Sequence, residues 1–152
     1  MLKIIDTLRA KRVAVVAAAC LTAPVANATI VEFQTAAGNF QVNLYDNATP
    51  ETVTNFLAYV NNGDYTNAIF HRSVPGFVIQ GGGFKYETRP PLQTVPSRGA
   101  ITNEPEFANL RGTIAMAKIG GDPNSATSQW FFNLADNTTI LDGQNGGFTV
   151  FG

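Results

Sequence analysis

The stretch FHRSVPGFVIQGGGF, residues 70–84, sets the chain's only histidine beside an arginine, inside an apolar run that ends in three glycines. Three chemistries compete for it. A histidine suggests acid-base work, a glycine run suggests a phosphate loop, and Arg72 between apolar neighbours suggests a guanidinium aimed into an apolar groove. No Gly-Lys-Ser/Thr follows Gly81, Gly82 and Gly83, and no helix signal begins there, so these glycines serve close backbone approach or a bend in a strand. A serine triad would have to recruit His71, and no Gly-x-Ser-x-Gly elbow is present. On these residues alone His71 reads as a core histidine whose ring nitrogens satisfy buried backbone groups, and Arg72 reads as a surface ion-pair partner ahead of a fixed donor on a groove rim.

Around this stretch the chain is organised as one domain behind a leader. Lys3, Arg9, Lys11 and Arg12 precede an apolar run, Val13–Val25, and Ala26-Asn27-Ala28 supplies the small-x-small pattern of signal cleavage. Thirteen residues broken by Pro24 are too few to span a bilayer, which needs about 20. We therefore expect a secretory signal over 1–28 and a mature domain over 29–152, without membrane attachment after cleavage. The mature part keeps six basic residues against ten acidic ones, a net charge of −4. Its cations are scattered, which argues against nucleic acid. With Cys20 in the leader, the mature part has no cysteine and a single histidine. That leaves neither a disulfide nor a zinc ligand set, and no metal or other cofactor is expected.

Residues 29–35 and 40–45 alternate apolar and polar about an Ala-Ala-Gly-Asn turn, predicting a hairpin. Thr49 as cap, Pro50 at the first helical position, and Val53, Phe56, Leu57 and Val60 at helical spacing predict one helix, which Gly63 stops. Residues 68–74 and 77–82 read as strands about Pro75-Gly76, and 112–118, 128–134 and 148–151 as three more. Residues 86–109 read as a long excursion with little regular structure. The domain is expected to be mainly β, a sandwich or barrel.

Residues 70–84 resemble the signature block of the cyclophilins, the peptidyl-prolyl isomerases. Two further blocks are similar to that family: RGTIAMAKIGGDPNSATSQWFFNLADN (111–137), with Trp130 where phenylalanine is usual, and LDGQNGGFTVFG (141–152). The resemblance implies an antiparallel β-barrel with a capping helix, and a chain that stops before the family's C-terminal helix and last strand. It implies isomerisation of X-Pro bonds in proline-containing polypeptides, with Arg72 as the catalytic arginine and Gln80 as its supporting glutamine. Phe77, Val78, Phe131, Leu141 and Phe148 would line the proline pocket, Ala117 and Lys118 would form the strand that holds the peptide, and Gln129 would face substrate. Phe148 stands where many members carry histidine, as in the bacterial periplasmic branch, and Ile140 stands where cyclosporin-sensitive members carry tryptophan. A periplasmic monomer that binds cyclosporin weakly is the resulting expectation. A proline-peptide holding module with little turnover is the alternative.

Overall fold

Residues that face one another across neighbouring strands fall on one side of a sheet, and here that pairing separates two apolar clusters. The computed structural model describes residues 28–87 and 91–152. The leader reading therefore falls on residues outside the described ones, apart from Ala28. The fold is mainly β. A hairpin of β1 (Ile30–Thr35) and β2 (Gly38–Asn43) is followed by α1 (Pro50–Asn61). The central sheet takes β3 (Arg72–Val74), β4 (Val78–Gly81), β7 (Ile114–Met116) and β8 (Trp130–Asn133) in the antiparallel order β3-β4-β8-β7. Two-residue strands β5 (Phe84–Lys85) and β6 (Gln93–Thr94) pair beside it, and a one-turn helix α2 (Thr138–Leu141) follows β8.

The predicted strand at 148–151 is a single bridge, Ala115 to Val150, flanked by further backbone bonds. Met116 N donates to Thr149 O, Phe151 N to Ile114 O, and Ile114 N to Gly152 O, each at 3.0 Å. On its other side Tyr45 N donates to Phe151 O at 2.9 Å, so this segment stitches the central sheet to the chain leaving the hairpin. Among the described residues β1 pairs only with β2. A cavity of about 450 Å³, lined by Val31, Phe33, Phe56, Tyr65, Phe70 and Trp130 among others, opens between it and the chain leading into β3.

Helix α1 forms where proline and the apolar spacing place it, burying Val53, Phe56 and Tyr59. Its cap differs from expectation. Thr49 makes no side-chain cap bond, and its hydroxyl instead donates to Tyr45 O at 3.4 Å. The carboxylate of Glu104, more than fifty residues away, accepts from Thr52 N at 2.8 Å and Glu51 N at 3.2 Å. An anion at the first turn satisfies two orphan donors and complements the helix dipole. Glu104→Ala is expected to lower unfolding free energy by about 1 kcal/mol, read from the urea midpoint with the slope unchanged.

That contact also shows how the 86–109 excursion is held. Its described residues have almost no regular structure, as expected, yet they are pinned at several points. Val95 N donates to Gly83 O, Ile101 bridges to Ala126, and Arg98 lies over the Tyr59 ring with its guanidinium 2.7 Å from Asp64. Hydrogen bonds from Asn62 first, and then from Arg98, hold the Asp64 carboxyl below its ordinary range.

One face of the central sheet, with Ile114, Met116, Trp130 and Phe132, packs on α1 and the hairpin as the main core. The aromatics there meet mostly edge to face: Phe33 lies 5.2 Å from Trp130 and 5.4 Å from Phe132. The other face buries Val78, Ala115, Phe131 and Val150 under Leu141 of α2.

Candidate active site

On that second face a single rung crosses the whole sheet. Arg72 pairs with Gln80, Gln80 with Phe131, Phe131 with Ala115, and Ala115 with Val150. Cross-strand partners in an antiparallel sheet project to the same side, so the register alone puts a cation, an amide and an aromatic ring in one line. The polar end of the line is linked. Arg72 Nη1 lies 3.4 Å from Gln80 Oε1, and Gln80 Nε2 donates to Gln129 Oε1 at 2.8 Å. The guanidinium sits 5.9 Å from the centre of the Phe77 ring. Among the described residues no carboxylate lies within ion-pair distance of Arg72, so its charge faces outward uncompensated.

The apolar end is a pocket floor. Phe131 and Leu141 are buried, and Phe77, Ala117 and Phe148 are half-buried around them. Phe148 meets Phe131 edge to face at 5.9 Å. Val78 lies deeper than a wall would, 2% exposed beneath the others. Ala117 continues β7, its N–H donating to Gln129 O at 2.9 Å. Lys118 follows it and turns its ammonium to the chain itself, donating to Asn145 O at 2.8 Å and to Gly147 O. The pocket and peptide-strand residues that the resemblance implies thus lie on this face or its rim, with Ile140 48% exposed beside Leu141.

His71 does not join them. Its neighbour Arg72 points to the site, and alternation sends the imidazole to Phe84, edge to face at 5.1 Å. The expectation that its ring satisfies backbone groups is not met: Nδ1 is buried without a partner. The three glycines do permit close approach. A Cβ on Gly81 would lie 2.6 Å from the Trp130 indole, and one on Gly82 2.5 Å from Ser128 O. One on Gly83 would lie 2.9 Å from Gln129 Cδ.

A buried ladder of asparagines escaped the sequence reading. Asn137 Nδ2 donates to Phe77 O and to Asn133 Oδ1, and Asn133 Nδ2 to Asn109 Oδ1. Asn109 Nδ2 in turn donates to Asp142 Oδ1 and Phe148 O. All three asparagines are at most 1% exposed, and together they tie the backbones behind two pocket rings. The available signal is the recurrence of asparagine in NLADN (133–137), and there Asn137-Thr138-Thr139 also fits the glycosylation pattern. Burial rules out Asn137 as a glycan acceptor.

The family profile described as cyclophilin type peptidyl-prolyl cis-trans isomerase/CLD matches residues 30–152. The chain belongs to the cyclophilin family. A peptidyl-prolyl cis-trans isomerase of Acinetobacter baylyi is 42% identical over 144 residues, covering 93% of this cyclophilin chain and 75% of that protein. Isomerase A of Dickeya dadantii is 44% identical over 125 residues, covering 82% and 64% respectively. The chain therefore spans about two thirds to three quarters of the length of these relatives. A crystal structure of a Cryptosporidium parvum cyclophilin in the presence of the dipeptide Ala-Pro superposes with a TM-score of 0.62 at 28% identity. That match covers 80% of this cyclophilin and 75% of the other chain.

Proposed function

We propose that the chain accelerates cis-trans rotation of X-Pro bonds in polypeptides, with the proline ring on Phe131 and Leu141 between Phe77 and Phe148. Arg72, Gln80 and Gln129 would meet the amide and its neighbouring backbone, and the extended segment at Ala117 and Lys118 would hold the peptide. The observation that carries this reading is the rung Arg72-Gln80-Phe131, which sets a guanidinium two strand pairings away from a buried aromatic floor, on the same face of the sheet. Rotation about an X-Pro bond breaks amide resonance, a barrier of about 18–20 kcal/mol. Nothing is cleaved and no proton need move. The proline nitrogen regains a lone pair as the amide twists, and a donor that meets it there lowers the barrier by what it adds in the twisted state alone. Isomerisation of an Ala-Pro peptide, followed by exchange NMR, tests this. Binding without accelerated exchange would make the protein a holding module instead.

We place this activity in the periplasm, on the strength of the leader pattern and the aromatic at Phe148. Thr29, the residue that cleavage would leave first in the chain, is held through both of its donors. Thr29 donates from N to Asp46 Oδ2 at 2.7 Å and from its hydroxyl to Oδ1 at 2.6 Å. Those bonds, the hydroxyl's first, hold the Asp46 carboxyl below its ordinary range. Cleavage after Ala28 would turn that N–H into an ammonium already seated on a carboxylate. The mass of the protein recovered from a periplasmic extract tests the assignment, with a start at Thr29 as the expected result. Cyclosporin is expected to bind weakly, because Ile140 offers the rim no indole. Calorimetric titration, with Ile140→Trp gaining roughly tenfold in affinity, checks that.

A further inference from the structure

The turn that delivers Phe148 to the pocket has an uncommon backbone. Asn145, Gly146 and Gly147 all have positive φ, at 51°, 72° and 75°. Three successive left-handed residues do not propagate a helix or strand, so their shape has to be imposed by side chains that bind the carbonyls they turn outward. Asn103 does so from one flank, donating to Gly146 O at 2.7 Å and Gly147 O at 3.1 Å. Asn145 Nδ2 reaches Ile119 O at 2.9 Å. From the peptide-holding segment, Lys118 Nζ spans Asn145 O and Gly147 O while lying 4.8 Å from the centre of the Phe148 ring.

We infer that Lys118 is a positioning residue: its ammonium clamps the 145–147 turn and thereby holds Phe148 against Phe131 as a wall of the proline pocket. The inference rests on the isomerase reading of that pocket and adds a role for a side chain that never touches the reacting bond. The segment that would hold the peptide backbone and the ring that would grip proline are joined by one charge, so the two halves of the site move together. An ammonium suits the task because it is compact and carries three donors, enough for both carbonyls with a hydrogen left toward the ring face. Its partial burial fits this role: burial pushes the Lys118 ammonium below its ordinary range, with Asp122 opposing.

The test is a double-mutant cycle between Lys118→Met and Phe148→Ala, measured as kcat and KM on an Ala-Pro peptide. K118M is expected to raise KM roughly five- to tenfold with kcat within about twofold, because a loosened wall weakens ground and twisted states alike. In the F148A background K118M should add less than about twofold, since the wall it positions is already gone. Lys118→Arg, which can bridge both carbonyls, should recover a KM within about threefold of the parent. An unchanged KM in K118M, or full additivity with F148A, overturns the inference while leaving the isomerase reading intact. Absence of Arg72-dependent turnover in the parent removes both together. Circular dichroism melts accompany each variant, and if K118M does not fold, Lys118→Gln in the same cycle takes its place with the same two outcomes.

Discussion

Arg72→Ala is expected to lower kcat/KM on an Ala-Pro peptide by about 10²–10³-fold while leaving the urea midpoint where it was. The size follows from what a fixed donor contributes when it meets charge that develops only in the transition state, about 3–4 kcal/mol per lost donor. Stability should hold because the Arg72 side chain is exposed and forms no ion pair among the described residues. Its one side-chain bond, to Gln80 at 3.4 Å, is long. Arg72→Lys should fall much nearer to alanine than to the parent, since a single ammonium lacks the planar fork that can meet the amide while keeping Gln80. Retention of more than about a tenth of the parent rate in Arg72→Ala would mean that the pocket catalyses by desolvation and shape, and that the guanidinium only attracts peptide.

Gly82→Ala is expected to be the most destabilising single methyl in the described chain. The backbone at Gly82 has φ of 76°, and a Cβ there would lie 2.5 Å from Ser128 O and 2.7 Å from Trp130 Nε1. Neither neighbour can yield cheaply, one being backbone and the other a ring buried in the core. Positive φ by itself costs about 1 kcal/mol for a β-carbon. Adding overpacking brings the expected loss to about 3 kcal/mol or more. With urea slopes of about 1–3 kcal/mol/M that moves the midpoint down by roughly 1 M or further. Gly121→Ala is the control: its φ is 85° but nothing lies within 4 Å of its added Cβ, so only the conformational part should remain. Equal losses in the two variants would show that strain, and not contact with β8, explains the glycines.

Arg72 and its partner Gln80 show how far the sequence carries. Arg72 and Gln80 are eight residues apart with Pro75-Gly76 between them, and that spacing is enough to predict a hairpin that sets them face to face. Residues 128–134 were readable as a strand, but with three aromatics in a row only the packing shows that Phe131 goes to the pocket and Trp130 and Phe132 to the core. What could not be read locally is whatever depends on partners far along the chain. Thr49 looked like the helix cap, but Glu104 reaches the same amides from a segment with no periodicity of its own. Short elements were lost for the same reason. The pairing of β6 with β5 and the single turn of α2 come from tertiary packing, not from propensity, and a four-residue helix has no pattern long enough to detect. The asparagine ladder is the clearest case, because buried asparagine and solvated asparagine are the same letter until the fold decides.

Trp130 is wedged over two glycines and among phenylalanines, 4% exposed. It is also the chain's only indole. The protein therefore carries a single tryptophan fluorophore, in surroundings that keep water away, set between Gln129 and Phe131 in the chain. Excited at the red edge of protein absorption, where tyrosine does not absorb, its emission reports on one place. Unfolding of the sheet should move that light to the red in one step, and a peptide seated on the opposite face would be sensed through a single strand's thickness. The unassisted protein contains its own optical gauge for both the melt and the binding event.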